Sequence, residues 1–316
     1  MKPRILCVVG PTASGKSGLA IALAVRLGGE IISCDSMQIY RAMDIGTAKA
    51  TEAERAAVPH HLLDLVAPDV PFSAADFVTA AQAAIADITA RGRLPILCGG
   101  TGLYLDSLLR PTAYAAPPPD PALRAALAAD LAAEGAEAMH ARLAALDPAA
   151  AEAIHPNNTK RVLRAIEICL SAGTTKSALD AASVVGECPY DACVIGLRWP
   201  REQLNARIDE RVDAMLAEGL VEETARLLEA GYLAPGTTAG QAIGYKEIVP
   251  YLRGEEPLAV SAERLKIATH RYAKRQMTWF GAKDYVEWID CAGRKFEEIV
   301  NIAAECYTGR AECGII

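Results

Sequence analysis

No apolar stretch of this 316-residue chain approaches the ~18 residues that a membrane-crossing helix needs, so the expectation is a protein without a membrane partner. No charged-then-apolar leader precedes the first apolar run, which points to the cytoplasm. There are nine cysteines but no C-x-x-C pair, and without that spacing a zinc site is not expected. Cys7, Cys34 and Cys98 lie in or at the ends of apolar runs, so buried free thiols in a reducing compartment are the economical reading. An excess of positive charge is also missing. The net charge of −7 argues against indiscriminate nucleic-acid binding, while leaving room for a local basic groove. Neither an internal repeat nor a long low-complexity tract is present. Apolar residues, alanine prominent among them, make up 52% of the chain, which favours packed helices over disorder. The length fits one large or two ordinary domains.

The most specific feature is the octapeptide Gly10, Pro11, Thr12, Ala13, Ser14, Gly15, Lys16 and Ser17, which fits G-x-x-x-x-G-K-[ST]. The apolar run 5–9 before it reads as a strand, and residues 16–27 after it read as a helix. Glycines there let backbone N–H groups turn around an anion, and the helix N-terminus adds its positive dipole end. Lys16 can reach a terminal phosphate, and the Ser17 hydroxyl can join a Mg²⁺ shell otherwise made of phosphate and water oxygens. A di- or triphosphate is therefore the expected ligand.

Strand patterns at 5–9, 30–34, 61–66 and 94–98 alternate with helical ones, notably 73–91 with Ser73 and Asp76 as a capping box. That alternation predicts an α/β fold with a parallel sheet and ligands at the strands' carboxyl ends. A proline- and alanine-rich stretch, 111–121, interrupts it. Residues 121 to about 183 read as almost wholly helical. A strand at 194–197, helices over 202–230 and 261–280, a last strand at 285–289 and an amphipathic tail follow. The expected organisation is a phosphate-loop core, 1–115 and 192–316, interrupted by a mainly helical insertion domain, 116–191.

Two constellations fall at the expected carboxyl ends. Asp35, about 20 residues after the phosphate loop, could bind a ribose, ligate a metal or accept a proton from a nucleophile. After strand 94–98 a phosphate-loop kinase or ATPase would carry an acid to help position Mg²⁺; this chain has Gly99, Gly100, Thr101 and Gly102 instead. Those glycines permit close approach of a substrate, and Thr101 offers it a hydroxyl. The absence of the acid counts against the alternative of an ATP-dependent small-molecule kinase. A regulatory nucleotide-binding module that grips RNA without chemistry has no need of Asp35 together with Thr101.

Taken together, the motifs GPTASGKS (10–17), DSMQIYRAMDIGTAKA (35–50), PHHLLDL (59–65), LPILCGGTGLYL (94–105), HPNNTKRVLRAIE (155–167), ERVDAMLAEGLVEE (210–223), QAIGYKE (241–247) and YAKRQMTWF (272–280) resemble the bacterial tRNA dimethylallyltransferase family, also called tRNA isopentenyltransferases. They span most of the chain in the family's order. The resemblance implies transfer of a dimethylallyl group from dimethylallyl diphosphate to N6 of the adenosine 3′ of the tRNA anticodon, position 37, with Mg²⁺ as cofactor. It implies that the phosphate loop, Gly10 to Ser17, holds diphosphate. By the same resemblance Asp35 accepts the N6 proton, Thr101 contacts the target nucleotide and Arg211 helps bind the diphosphate, with Arg207 a weaker candidate one turn earlier. The base would be extruded into a channel that Asp35, Ser36, Met37 and Gln38 line, Gln38 reading its edge.

The family pattern further assigns tRNA contacts to Arg124, to Lys160, Arg161, Val162, Leu163 and Arg164, to Gln241, Ala242, Ile243, Gly244, Tyr245 and Lys246, and to Lys274, Arg275, Gln276, Met277, Thr278, Trp279, Phe280 and Gly281. A basic cluster like that at 160–164 ordinarily means only a solvated helix face; the motif match favours RNA. His270, Arg271, Lys274 and Arg275 suggest a basic helix surface, with Trp279 read as core rather than as a stacking platform. His60 and His61 fit a strand entrance better than a metal site. The chain departs from the family at Gly281, where an arginine is usual, with Lys283 as a possible substitute, and at Ala50, where a proline is usual. A monomer is expected, and residues 301–316 carry no recognisable motif.

Overall fold

The apolar run Arg4–Val9 becomes the central strand, β1, because residues 5–9 are all but inaccessible to solvent and need cover on both faces. Burying each such side chain contributes about 1.5–3 kcal/mol. The computed structural model describes residues 2–110, 120–182 and 187–313. Most of the proline- and alanine-rich stretch, 111–119, lies outside them.

The chain continues through helix α1 (Lys16–Leu27), strand β2 (Gly29–Ser33), helix α2 (Glu52–Ala57), strand β3 (His60–His61), helix α3 (Ala74–Ala90), strand β4 (Leu94–Gly99) and helix α4 (Gly102–Leu109). Then come α5 (Pro121–Leu146), α6 (Pro148–Ala153), α7 (Thr159–Ala172) and α8 (Lys176–Ala182). Strand β5 (Asp191–Arg198) leads to α9 (Arg201–Ala217), α10 (Leu220–Glu229), α11 (Val249–Leu252), α12 (Leu258–Gly281), β6 (Val286–Asp290) and α13 (Phe296–Cys313). The strands form one six-stranded sheet in the order β3-β2-β4-β1-β5-β6, with every pairing parallel.

Register decides where the site lies. Val9 pairs with both Gly99 and Gly196, and Ser33 with Cys98. The phosphate loop after β1, the Cys34–Asp35 segment after β2 and the Gly100–Thr101 turn after β4 therefore leave the sheet at one level. Gly99 must be glycine, because a Cβ there would stand 2.0 Å from the Cys34 carbonyl oxygen.

Two expectations need correcting. The strand expected over 61–66 is formed only at His60 and His61, since Leu62 (φ 62°) and Asp64 (φ 57°) are left-handed and break the extended run. Arg41 instead donates to the carbonyls of Asp64 and Leu65, and the pairing resumes as a lone bridge between Tyr40 and Val66. The helical run over 202–230 is two helices, because Gly219 turns the chain at φ 106° between α9 and α10. The Ser73–Asp76 capping box does open α3.

The chain divides into two compact units, residues 1–109 with 189–316 and residues 110–188. The first is the sheet with its flanking helices. The second is α5 to α8 around Leu127, Met139, Leu143, Val162, Ala165 and Ile166.

Candidate active site

The phosphate loop is held by its carbonyls, one bonded within the loop and two bonded from outside. Lys16 Nζ donates to Pro11 O (3.2 Å), Arg207 Nε to Ala13 O (2.9 Å) and Trp199 Nε1 to Ser14 O (2.9 Å). The Arg207 guanidinium also stacks 4.5 Å from the Trp199 ring centre. Gly10 (φ 139°) and Gly15 (φ 90°) supply left-handed turns at no cost, whereas Ala13 (φ 60°) adopts one against its Cβ. The first N–H groups of α1 have no acceptor within the helix, and with the dipole end they complete an anion cradle.

The cradle opens into a cavity of about 1120 Å³ lined, among others, by Lys16, Ser17, Asp35, Arg211, Tyr272 and Gln276. Burial holds the Lys16 ammonium below the usual lysine range, and the Asp35 and Arg211 charges act on it in opposite senses. Arg211 is likewise lowered by burial, is favoured in charged form by Asp35, and reaches Thr12 Oγ1 (3.3 Å). Two cations thus stand at the anion cradle with one carboxylate facing them. The Cys98 thiol, hydrogen-bonded to Ser17, is pushed up to about 11 by burial and stays protonated at neutral pH.

On the acceptor side, Asp35 Oδ1 accepts the Met37 N–H (2.9 Å) and Thr101 Oγ1 accepts the Ser36 N–H (3.0 Å). Tyr272, on α12, hydrogen-bonds Thr101; burial first, and then the Asp35 charge, raises its phenol above the ordinary range. Gln38 has its amide engaged: it accepts from Ser33 Oγ (2.8 Å) and donates to the carbonyls of Thr47 (3.1 Å) and Ala48 (3.2 Å). Reading a base edge would require exchanging one of these bonds.

Sequence reasoning missed the residues that hold this arrangement. Glu223, buried on α10, accepts the N–H groups of Asp44, Ile45 and Gly46 and the hydroxyl of Tyr245 (2.7 Å). Lys49, also buried, bridges Asp44 and Asp64 (2.6 Å each) and donates to Tyr40 O (2.8 Å). Trp199 gave a usable signal, being an aromatic just past the carboxyl end of a core strand.

Several residues expected at tRNA are placed differently. Val162, Ala242, Gly244, Tyr245, Gln276 and Phe280 are buried; the Gly244 N–H bonds Glu247, and the side chains of the others serve packing or internal bonds. A Cβ at Gly46 would stand 2.5 Å from the Tyr245 ring, so that tyrosine locks the 43–49 loop. Gln241, Lys246, Lys274, Arg275, Thr278 and Gly281 are exposed, and Ile243, Met277 and Leu163 are half-buried. Trp279 packs on Gly102, where a Cβ would meet its ring at 2.2 Å. The Lys283 ammonium, expected as a substitute for an arginine at 281, is bound to Asp106 (2.6 Å) above the Trp279 ring.

Within the helical unit Lys160 and Arg161 are exposed. Arg124 (3.0 Å) and Arg164 (2.7 Å) instead converge on the buried Glu167 carboxylate, which also accepts the Asp120 N–H. Burial opposes ionisation of Glu167, and the hydrogen bonds from Arg164 and Arg124 outweigh it, so its carboxyl titrates below the usual range. His61 pairs with Glu30 (2.7 Å), and no cluster of three or more His, Cys, Asp or Glu suited to a metal occurs among the described residues.

The IPP transferase family profile matches residues 38–283, and the isopentenyl transferase profile matches 3–67. The chain is 53% identical over 286 residues to the tRNA dimethylallyltransferase of Anaeromyxobacter dehalogenans (strain 2CP-1), covering 90% of this chain and 92% of that one. It is 46% identical to the tRNA dimethylallyltransferase of Bacillus velezensis over 98% of each chain. Among solved structures it superposes on the full-length tRNA isopentenylpyrophosphate transferase of Bacillus halodurans with a TM-score of 0.72, at 42% identity over 99% of both chains. A eukaryotic dimethylallyltransferase captured acting on tRNA gives a TM-score of 0.80 at 29% identity, over 97% of this chain and 80% of that one. With a phosphate cradle, a facing carboxylate and this likeness along nearly its whole length, the chain belongs to the IPP transferase family.

Proposed function

We propose that the chain is a tRNA dimethylallyltransferase that moves the dimethylallyl group of dimethylallyl diphosphate onto N6 of adenosine 37, beside the anticodon. The observation that carries this reading is the meeting of Lys16, Arg211 and Thr12 of the phosphate loop in a single cavity with Asp35 and Ser36, whose N–H is held by Thr101. The allylic C1–O bond breaks and its electron pair leaves with the diphosphate. The N6 lone pair forms the new C1–N bond, and the N6 proton goes to Asp35. Lys16 and Arg211 stabilise the charge that grows on the leaving oxygen, and the loop amides add to this. Thr101 holds the nucleotide near the reacting carbon.

Mg²⁺ fits this donor set. Ser17 is exposed at the cradle, and no cluster of three acids suited to a metal occurs among the described residues, so a hard cation would arrive on diphosphate oxygens and take the Ser17 hydroxyl as a ligand. Bound there, it would neutralise part of the leaving-group charge. Lys160 and Arg161 offer phosphate contacts for RNA, as do Lys246, Lys274 and Arg275, which are likewise exposed. A monomer acting in the cytoplasm completes the reading. The kinase alternative is not favoured, because Gly99–Gly102 replaces its metal-binding acid and the relatives carry the transferase name.

The test is label transfer from radiolabelled dimethylallyl diphosphate to unmodified tRNA with Mg²⁺, using wild type and Asp35→Ala. Label should enter tRNA only when adenosine stands at position 37, and the variant should lose transfer by about 10²–10⁴-fold while still binding tRNA. Wild-type turnover in the variant would remove Asp35 as the base.

A further inference from the structure

Gln276 lies on α12, buried to 4% exposure, and its amide joins two loops that are 176 and 264 residues away in sequence. Its Oε1 accepts the Thr12 N–H of the phosphate loop (2.8 Å), and its Nε2 donates to the carbonyl of Gly100 (3.0 Å). A glutamine amide carries a donor and an acceptor in one plane and so can join two backbones as a strand would. The fit leaves no slack: a Cβ at Gly100 would stand 2.0 Å from Nε2. One turn earlier on the same helix Tyr272 bonds Thr101, and three residues later Trp279 seats on Gly102. All three contacts grip the Gly99–Gly102 turn, but only Gln276 also grips the diphosphate side.

We propose that Gln276 is a positioning residue that fixes the separation between the diphosphate cradle and the acceptor pocket, rather than an RNA contact. The proposal rests on the transferase reading above. In a displacement reaction the attacking nitrogen and the allylic carbon come from different substrates, held by different loops. Their separation is set by whatever ties those loops together, and a shift of about 1 Å costs up to roughly 100-fold in rate.

The experiment is steady-state transfer by the full chain across a range of pH, with wild type, Gln276→Met and Gln276→Glu. Gln276→Met keeps the volume and loses both bonds; kcat should fall about 10- to 100-fold, with KM for tRNA and for dimethylallyl diphosphate within about threefold of wild type. Gln276→Glu keeps an acceptor for Thr12 but sets a carboxylate against the Gly100 carbonyl. Its kcat relative to wild type should rise as pH falls, because the protonated acid can again donate to that carbonyl, a signature that a packing role would not give. Should Gln276→Met fail to fold, the pH-dependent ratio of the second variant decides alone. Unchanged kcat in the folded Met variant, raised KM values with kcat intact, or a flat ratio across pH would each overturn the proposal. A wild type that places no label on tRNA would bring down the transferase reading and this proposal with it. An active wild type matched by its variants would bring down only the clamp.

Discussion

Replacing Glu223 with alanine strips one acceptor from four donors at once: the N–H groups of Asp44, Ile45 and Gly46 and the Tyr245 hydroxyl. Asp44 is exposed and Ile45 half-buried, so water can take over their two N–H groups. Tyr245 is fully buried, and its ring covers Gly46, so those two donors would be orphaned. At about 1–3 kcal/mol each, the loss comes to about 4 kcal/mol, a large share of the ~5–15 kcal/mol that holds a domain. Tyr245→Phe removes one partner and leaves the other three bonds, which predicts about 1 kcal/mol. Urea unfolding of the three proteins measures both values. Activity should fall as well, because Thr47 and Ala48, next along the same loop, hold the Gln38 amide beside Asp35. An alanine variant within about 1 kcal/mol of wild type would refute the idea that this carboxylate anchors the loop.

Gly46→Ala should destabilise by about 1–3 kcal/mol in the same assay, since its methyl would strike the Tyr245 ring at 2.5 Å. The Lys160→Ala, Arg161→Ala pair should weaken tRNA binding and flatten its salt dependence at unchanged stability. Arg124→Ala should instead lower stability, by exposing the buried Glu167 charge it shares with Arg164; filter binding and thermal unfolding separate the two outcomes. Burial lowers the Lys16 pKa in the free protein, and bound diphosphate favours its ammonium. Diphosphate affinity measured by calorimetry should therefore weaken with rising pH through that lowered value, earlier than an ordinary lysine would cause, and Lys16→Met should abolish that limb.

Legibility followed the range of the interaction. The α1 helix, the Ser73 capping box and the six strand positions are local patterns, and each appears within a few residues of its expected place, β3 apart. β3 shortened because positive φ at Leu62 and Asp64 answers to Arg41 and Lys49, which lie elsewhere in the chain. Among the expected site residues, Lys16, Asp35, Thr101 and Arg211 each sit in a motif of their own, and the structure brings Lys16, Asp35 and Arg211 to one cavity, with Thr101 bonded to Ser36 of its lining. Glu223 was not readable, because a buried glutamate looks ordinary until its partners arrive. Tyr245 and Gln276 sit inside motifs read as surface, where the fold leaves neighbours such as Lys246 and Arg275 exposed but buries these two.

By itself the sequence determined an α/β phosphate-loop protein and its family, because those signals depend on spacing along the chain: a glycine loop between strand and helix, and eight motifs in order. Tertiary structure alone decided which residues of those motifs face the cavity and which hold it in shape. Parallel register set Val9, Ser33 and Gly99 at one level, and α12 then laid Tyr272, Gln276 and Trp279 across the turn that follows β4. Long-range hydrogen bonds have no period in sequence, so the division between acting and supporting residues could be read only from the folded chain.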